Sequence, residues 1–535
     1  MMDTIARRGM LLLFLFSLVL NLPYINVREF QGEEGRRVNI AVTMLQTGDW
    51  VIPHVEGAIY LKKPPFYNWV LAAFFTFTGT VSEAMARVPS ALAAFFCAAA
   101  LSLFWRRSTG SSDSWFILPG LVFLTFPDVM DKAVRSEIDM TFTLFITLSL
   151  IAWFYLYEVK GRVFAAWIIS LALVGVSTLT KGIQAPFFYY CTVMPYLLFY
   201  RRNVRGFFSL SHLFGIATGS MVFLAWLVPV SQEVGLKSLG TVWMQEILVR
   251  GEPLKKGGFW LHFIEFPFSY LAAYSPWVAF LLLLSRRDGE QASPMKRNLA
   301  YFCALGLVVS IPLYWVMPGA RLRYLLPLSG MLALLISIAI RAILQGERLF
   351  SWLEYFGKAV GAALVVSVLA SPLWGRRFDL FGNAVSLGLM AGVFIAGVLL
   401  VMRRGEGKEL TRNLVVTVLL VKLFWASFYF PYYAKFFSHY RDAAKEINAL
   451  LPQRASLCDY GIDNGHLVFY LERPVTMVDT LTQDALKRCD FVLTEERSLH
   501  ESPSGLHRVG APVKARKSLL VLYEVSKQER HFQGP

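Results

Sequence analysis

Along most of the chain, apolar runs of about 17 to 25 residues alternate with short charged punctuation, and a run of that length spans a bilayer core as helix. The pattern predicts about thirteen spans, starting near Met10, Ala84, Asp113, Ile138, Val163, Ile183, Leu210, His262, Arg297, Leu322, Tyr355, Asn383 and Thr411. The first run, from Met10 to about Ile25, follows Arg7 and Arg8. It ends in Pro23, Tyr24 and charged residues rather than a small-residue cleavage site, so it reads as a retained first helix. The stretch Pro65–Gly79 reads as interfacial.

Beyond about Tyr433 the pattern changes. A helical period over Tyr440–Leu451 precedes short strand-like runs near Ser456–Cys458, Val475–Val478, Asp490–Leu493 and Leu519–Val525, which predicts a small α/β domain of about 100 residues. The expected division is a transmembrane domain over 1–433, with a first outer loop and interfacial helices at 27–83, and a soluble domain over 434–535. The sequence shows no internal repeat.

Composition sharpens the class. Of 535 residues, 56% are hydrophobic and 17% charged, more apolar surface than a water-soluble exterior tolerates. The net charge of +15 is not a nucleic-acid footprint, because much of it sits in alternate loops, as the positive-inside rule requires. With a cytoplasmic N-terminus those loops carry Arg106 and Arg107, Lys160 and Arg162, Arg201, Arg202 and Arg205, Arg286, Arg287, Lys296 and Arg297, and Arg403, Arg404, Lys408 and Arg412. An odd number of spans then puts the tail outside. Cys97, Cys191 and Cys303 lie within apolar runs as packing residues. Cys458 and Cys489 lie in the tail and could pair in an oxidising compartment.

The charges that this rule leaves unexplained lie on the outer side. The first outer loop holds Glu33, Glu34, Arg36, Arg37, Asp49, His54, Glu56, Lys62 and Lys63, and a later one holds Asp128, Asp131, Lys132, Arg135, Glu137 and Asp139. Lys181, Lys255, Lys256, Arg321 and Arg323 follow. Taken singly, such residues solvate loops or pair with neighbours. Taken together at helix ends beside a bilayer, they mark a site. Attack of a hydroxyl on an anomeric carbon needs a carboxylate near the acceptor oxygen, and a departing phosphate needs fixed cations where charge develops. Lysine supplies a point charge and arginine a forked contact. A lipid flippase or transporter would instead favour mid-membrane charges and repeated halves. An O-antigen ligase-like enzyme is the other alternative.

One ordered set of residues resembles a known family. Glu33-Glu34-Gly35-Arg36, Met44-Leu45, Gly48-Asp49-Trp50, Pro53, Tyr60-Leu61-Lys62-Lys63-Pro64-Pro65 and Trp69 resemble the first outer loop of the aminoarabinose-transferase-like group. That group belongs to the GT-C membrane glycosyltransferases and is related to protein O-mannosyltransferases. Arg87-Val88-Pro89-Ser90, Glu137-Ile138-Asp139-Met140, Leu179-Thr180-Lys181-Gly182 and Arg323-Tyr324-Leu325-Leu326-Pro327 continue the pattern across roughly residues 10 to 345. The resemblance implies a polytopic α-helical GT-C protein of a bacterial inner membrane, with about thirteen helices and a small C-terminal α/β domain. The active site and that domain would face the periplasm. The implied donor is a polyprenyl-phosphate sugar, the acceptor an envelope lipid, glycan or protein, and the stereochemical course inversion.

By the same resemblance Glu33 is the catalytic base in place of the usual aspartate, Glu34 follows it, and Asp139 is the second acid. Lys63, Arg321, Arg323, Tyr324 and Lys181 would hold the donor phosphate. Some relatives bind zinc through an acid just before that lysine and a histidine before the eighth span. Here Lys62 replaces the acid, and Lys255 and Lys256 stand near the histidine position, so no such site and no cofactor are expected; a divalent metal elsewhere stays open. His54 and His262 then read as interfacial or structural. Arg37 stands where an aromatic residue is usual, a departure that bears on sugar or acceptor preference.

Overall fold

The computed structural model describes the chain except residues 1–3, 24, 112, 252–257, 283–292, 346–349, 376–383, 403–409, 438, 463–464, 479, 499–504, 516–517 and 527–535. Lys255, Lys256, Arg286, Arg287, Arg403, Arg404 and Lys408 therefore lie outside the described residues.

Among the described residues nine helices are long and apolar enough to cross a membrane, from Thr4–Asn21 to Val415–Tyr432. The other four expected spans correspond to the apolar helices Trp115–Leu124, Gln184–Pro195 with its π-helical continuation Tyr196–Tyr200, Gly258–Ala273 and Phe350–Leu369. The first of these is cut short because Pro127 opens a new helix, Pro127–Lys132. The stretch expected to be interfacial forms Phe66–Thr78. At about 1.5 Å per residue that helix is too short for a hydrocarbon core of about 30 Å.

The chain divides into two compact units. The first comprises Met1–Ile25, Lys62–Tyr67 and Arg87–Tyr429, and the second Asn26–Leu61, Asn68–Ala86 and Phe430–Pro535. In the first, helix Val163–Lys181 packs along Leu210–Val234. Small residues make that approach possible. A Cβ on Gly219 would lie 2.5 Å from the Leu171 carbonyl oxygen, and one on Gly215 would lie 2.8 Å from that of Trp167. Gly215 and Gly219 are four positions apart on one helix face, the spacing that lets apolar helices meet backbone to backbone without a hydrophobic driving force. Cys97 and Cys303 are buried and Cys191 is half-buried, as packing residues should be.

The second unit carries a five-stranded mixed sheet, in the order Val475–Val478, Leu457–Tyr460, Phe491–Glu495, Ser518–Val525, Leu506–Ala515. The first three strands are parallel and the last two antiparallel to their neighbours. Four strands lie where the short strand-like runs predicted them. Leu506–Ala515 was not legible, because its exposed positions carry few apolar residues to mark a period. Helix Tyr440–Leu450 buries Tyr440, Ala443, Ala444 and Ile447, the i, i+3, i+4, i+7 stripe of an amphipathic helix. Cys458 and Cys489 form a disulfide with their Cα atoms 5.7 Å apart.

The segment Asn26–Leu61 belongs to this unit, and the structure shows why its motif needs a glycine. A Cβ on Gly35 would lie 2.6 Å from His466 Nδ1, and the Gly35 amide donates to that nitrogen at 3.3 Å. Asn39 donates to the Gly465 carbonyl at 2.6 Å. Further along, Glu29 accepts the Tyr440 and Arg441 amides, both at 3.0 Å, satisfying two donors at the start of helix Tyr440–Leu450. Arg441 in turn pairs with Glu83, which also accepts the Tyr470 hydroxyl at 3.0 Å.

Candidate active site

The first unit gathers its charges at the start of helix Ile138–Phe154. Glu137 sits at the N-cap in extended conformation and Asp139 in the first turn, where the helix dipole favours anions. Lys181, the last residue of helix Val163–Lys181, donates to Asp139 Oδ1 at 2.6 Å, and both side chains are only 4% exposed. Removing either partner of a pair so buried strands the other at a cost of about 3–5 kcal/mol. Arg323 reaches Glu137 Oε2 at 3.3 Å and lies 4.0 Å from Asp139 Oδ2, while Lys132 donates to the same Glu137 oxygen at 2.9 Å. The Lys181 ammonium lies 5.3 Å from the Tyr324 ring centre and 5.3 Å from that of Phe142, so aromatic faces hold the cation from two sides.

Two of the sequence motifs fasten this arrangement. The Tyr67 hydroxyl lies 3.0 Å from Ser90 Oγ and 3.3 Å from Ser136 Oγ, and Ser90 donates to the Glu137 carbonyl at 3.4 Å. Buried Arg87 donates to the Ile25 carbonyl at 2.6 Å. The Arg87-Val88-Pro89-Ser90 motif thus positions the turn that presents Glu137 and Asp139.

Lys181 also lines a cavity of about 330 Å³ together with Lys62, Lys63, Thr178, Trp243 and Glu246. There Lys63 donates to Glu246 Oε2 at 2.8 Å and to the Lys62 carbonyl at 3.0 Å. Ile183 and Pro186 are shared with an apolar groove of about 460 Å³ that runs along helix Gln184–Pro195 past Phe187, Met194 and Phe199. Arg321 is exposed and makes no ion pair among the described residues.

Asp128 stands apart from its neighbours. Its Oδ2 is buried with no hydrogen-bond partner among the described residues. Burial, reinforced by Asp131 and Asp139 and opposed by Lys132 and Arg323, pushes its carboxyl up to about 6. Asp131 is committed elsewhere, accepting from Arg135 at 2.8 Å.

Glu33 and Glu34 belong to the second unit. Glu33 is the N-cap of helix Glu34–Thr47 and half-exposed, with Arg36 at 2.8 Å and Arg37 at 3.6 Å. Glu34 is fully buried, accepts the Gln31 amide at 2.9 Å and lies 4.0 Å from Arg28. Arg37 is buried too, donating to the Tyr60 hydroxyl at 3.1 Å.

Residues 62–229 match the family described as dolichyl-phosphate-mannose-protein mannosyltransferase. The undecaprenyl phosphate-alpha-4-amino-4-deoxy-L-arabinose arabinosyl transferase of Pseudomonas savastanoi pv. phaseolicola is 30% identical over 240 residues, 42% of each chain. The protein of the same name from Pseudomonas aeruginosa is 26% identical over 407 residues, 72% of this chain and 70% of that one. The crystal structure of ArnT from Cupriavidus metallidurans bound to undecaprenyl phosphate superposes with a TM-score of 0.69 at 19% identity, covering 96% of this chain and 97% of that one. The chain thus has the GT-C fold of ArnT and is similar in sequence to the aminoarabinose transferases.

A zinc site of the kind the sequence resemblance raises does not fit the residues present. Lys62 and Lys63 both line the cavity, and two ammonium groups offer no lone pair to a cation and repel it. His262 packs on the Phe266 ring, 5.1 Å between centres, and His54 lies 3.7 Å from Asp49. Sequence reasoning counted Glu137 and Lys132 among the outer charges without an individual role, and gave none to Trp243 or Glu246. Glu137 was within reach, two residues before Asp139 at a helix start. Glu246 was not, being one acid in an unremarked amphipathic stretch.

Proposed function

We propose that this protein transfers a sugar from a polyprenyl-phosphate donor to a hydroxyl or phosphate of an envelope lipid, glycan or protein on the periplasmic face of a bacterial inner membrane. The observation that carries the reading is the cavity that presents Lys63 and Lys181 and shares its wall with an apolar groove. A lipid phosphate needs both parts, fixed cations for the headgroup and a dry channel for the isoprenoid. The matches with the Pseudomonas savastanoi and Pseudomonas aeruginosa relatives span 42% and 70% of those chains, so donor and acceptor are inferred for this chain from its own site.

In this mechanism the acceptor oxygen attacks the anomeric carbon as the bond to the phosphate oxygen breaks. The electron pair leaves with the phosphate, and Lys63, Lys181, Arg323 and Arg321 stabilise the charge that develops, with Tyr324 packed behind Lys181. Glu33 takes the acceptor proton. A single displacement inverts the anomeric centre. Asp139 holds Lys181 in place, and buried Glu34 fixes the start of the loop helix. No step requires a metal, since the leaving group is a phosphate held by cations.

Residues 1–433 make up the transferase domain in this reading, and 434–535 a periplasmic α/β domain. Two features support the orientation: the basic alternate loops, and the Cys458–Cys489 disulfide, a bond at home in an oxidising compartment. Mass spectrometry of envelope lipids and glycans from cells with and without the gene tests the function. Loss of one sugar-sized mass from one component is expected, and an unchanged envelope under conditions of expression contradicts it.

A further inference from the structure

Among the described residues that line the cavity, Glu246 is the one carboxylate. Glu246 lies on helix Leu236–Gly251, and its Oε2 sits 2.8 Å from the Lys63 ammonium. The pair is partly shielded, with Lys63 15% and Glu246 30% exposed. Trp243, one turn earlier on the same helix, lines the cavity too and packs against Phe223 and Trp226, ring centres 6.1 and 6.5 Å apart. Gly235, just before this helix, has φ of +80°, a conformation that favours glycine, where the chain leaves helix Leu210–Val234.

We propose that Glu246 is a component of the donor site, the resident anion that a lipid phosphate displaces from Lys63. This rests on the reading of the cavity as the donor site. A carboxylate and a phosphate cannot share the same face of one ammonium without repelling each other, so donor entry requires Glu246 to turn away. The exchange is feasible because an ion pair this close to solvent is weak, and phosphate offers more acceptor oxygens than the carboxylate it replaces. After transfer the order reverses. The spent polyprenyl phosphate is a monoester whose second ionisation falls near pH 6, so it holds Lys63 more strongly than the diester donor did. Return of Glu246 to Lys63 then favours its release. The carboxylate therefore lowers affinity for lipid phosphate and keeps the site from being trapped by product.

Binding of undecaprenyl phosphate to the full-length protein in nanodiscs tests this with a double-mutant cycle. Glu246→Gln is expected to bind about three- to tenfold tighter than wild type, the range of a partly exposed ion pair. Lys63→Ala is expected to bind more weakly, and the gain from Glu246→Gln is expected to vanish in the Lys63→Ala background, since the two groups act through one contact. A Glu246→Gln variant that binds no tighter, or whose gain survives without Lys63, overturns the displacement while leaving Lys63 as a phosphate ligand. Lys63→Ala binding as well as wild type overturns the donor-site reading itself, and the proposal with it. A purely structural role for Glu246 predicts weaker binding on substitution, never a gain.

Discussion

Two regions of this molecule are built from the same residue types and do different work. In one, at the start of helix Ile138–Phe154, Glu137 and Asp139 meet Arg323 and Lys181 from 186 and 42 positions away. In the other, Glu83 meets the Arg441 guanidinium from 358 positions away, and Glu29 accepts the Arg441 amide from 412 positions away. Long-range pairing of acids with bases is therefore no mark of a site by itself. What separates the two is where the remaining capacity points. Glu29 spends its oxygens on backbone amides and Glu83 on a guanidinium and a tyrosine hydroxyl, so the second cluster closes on itself. The first leads through Lys181 into a cavity with two more lysines.

That contrast can be broken or sharpened by substitution. The largest effect is expected from Glu33→Gln, which should reduce transfer to background while the protein still inserts and folds; turnover at the wild-type rate would remove it as base. Next comes Lys181→Ala. Transfer should fall about a hundredfold, as when one charge-stabilising donor is lost, and the melting temperature should drop because Asp139 keeps a buried charge without its nearest partner. In the self-closed cluster, Glu29→Gln should cost about 1–2 kcal/mol of stability, through loss of charge at the helix start, measured by thermal unfolding. A comparable drop in stability from both variants, with transfer per folded molecule unaffected by Lys181→Ala, would erase the distinction.

The smallest expected effect is a gain. Asp128 has a folded-state pKa of about 6, above its ordinary 3.8, so the folded protein holds more protons between those values. Stability therefore falls as pH rises from about 4 to 6, and the penalty is fully present above that window. Asp128→Asn should raise the melting temperature at pH 8, and the gain should disappear towards pH 4. A melting-temperature difference that is constant from pH 4 to pH 8 would place the effect elsewhere.

Much of this was legible from the chain alone. Apolar run length predicted the helical spans, and short strand-like runs predicted four of the five strands in the tail. The ordered motifs also named Asp139, Lys181, Arg323 and Tyr324, which the structure brings together, and Lys63, which shares a cavity with Lys181. Three kinds of feature were not legible. Arg87, Tyr67 and Ser90 act by hydrogen bonds to backbone and to each other, which no periodicity records. Glu34 carries the same charge as Glu33 beside it, and only burial separates their roles. Gly215 and Gly219 did stand in the sequence at the spacing of a close helix contact, but the partner helix and the faces of Trp167 and Leu171 they meet become visible only in three dimensions.

The central claim is that a lipid-linked sugar is consumed at this site rather than carried across the membrane. Full-length protein reconstituted with a polyprenyl-phosphate sugar and envelope acceptor, with both lipid species followed over time, tests it directly. The account predicts that free polyprenyl phosphate appears in step with glycosylated acceptor. Intact donor that changes leaflet without releasing polyprenyl phosphate would contradict it.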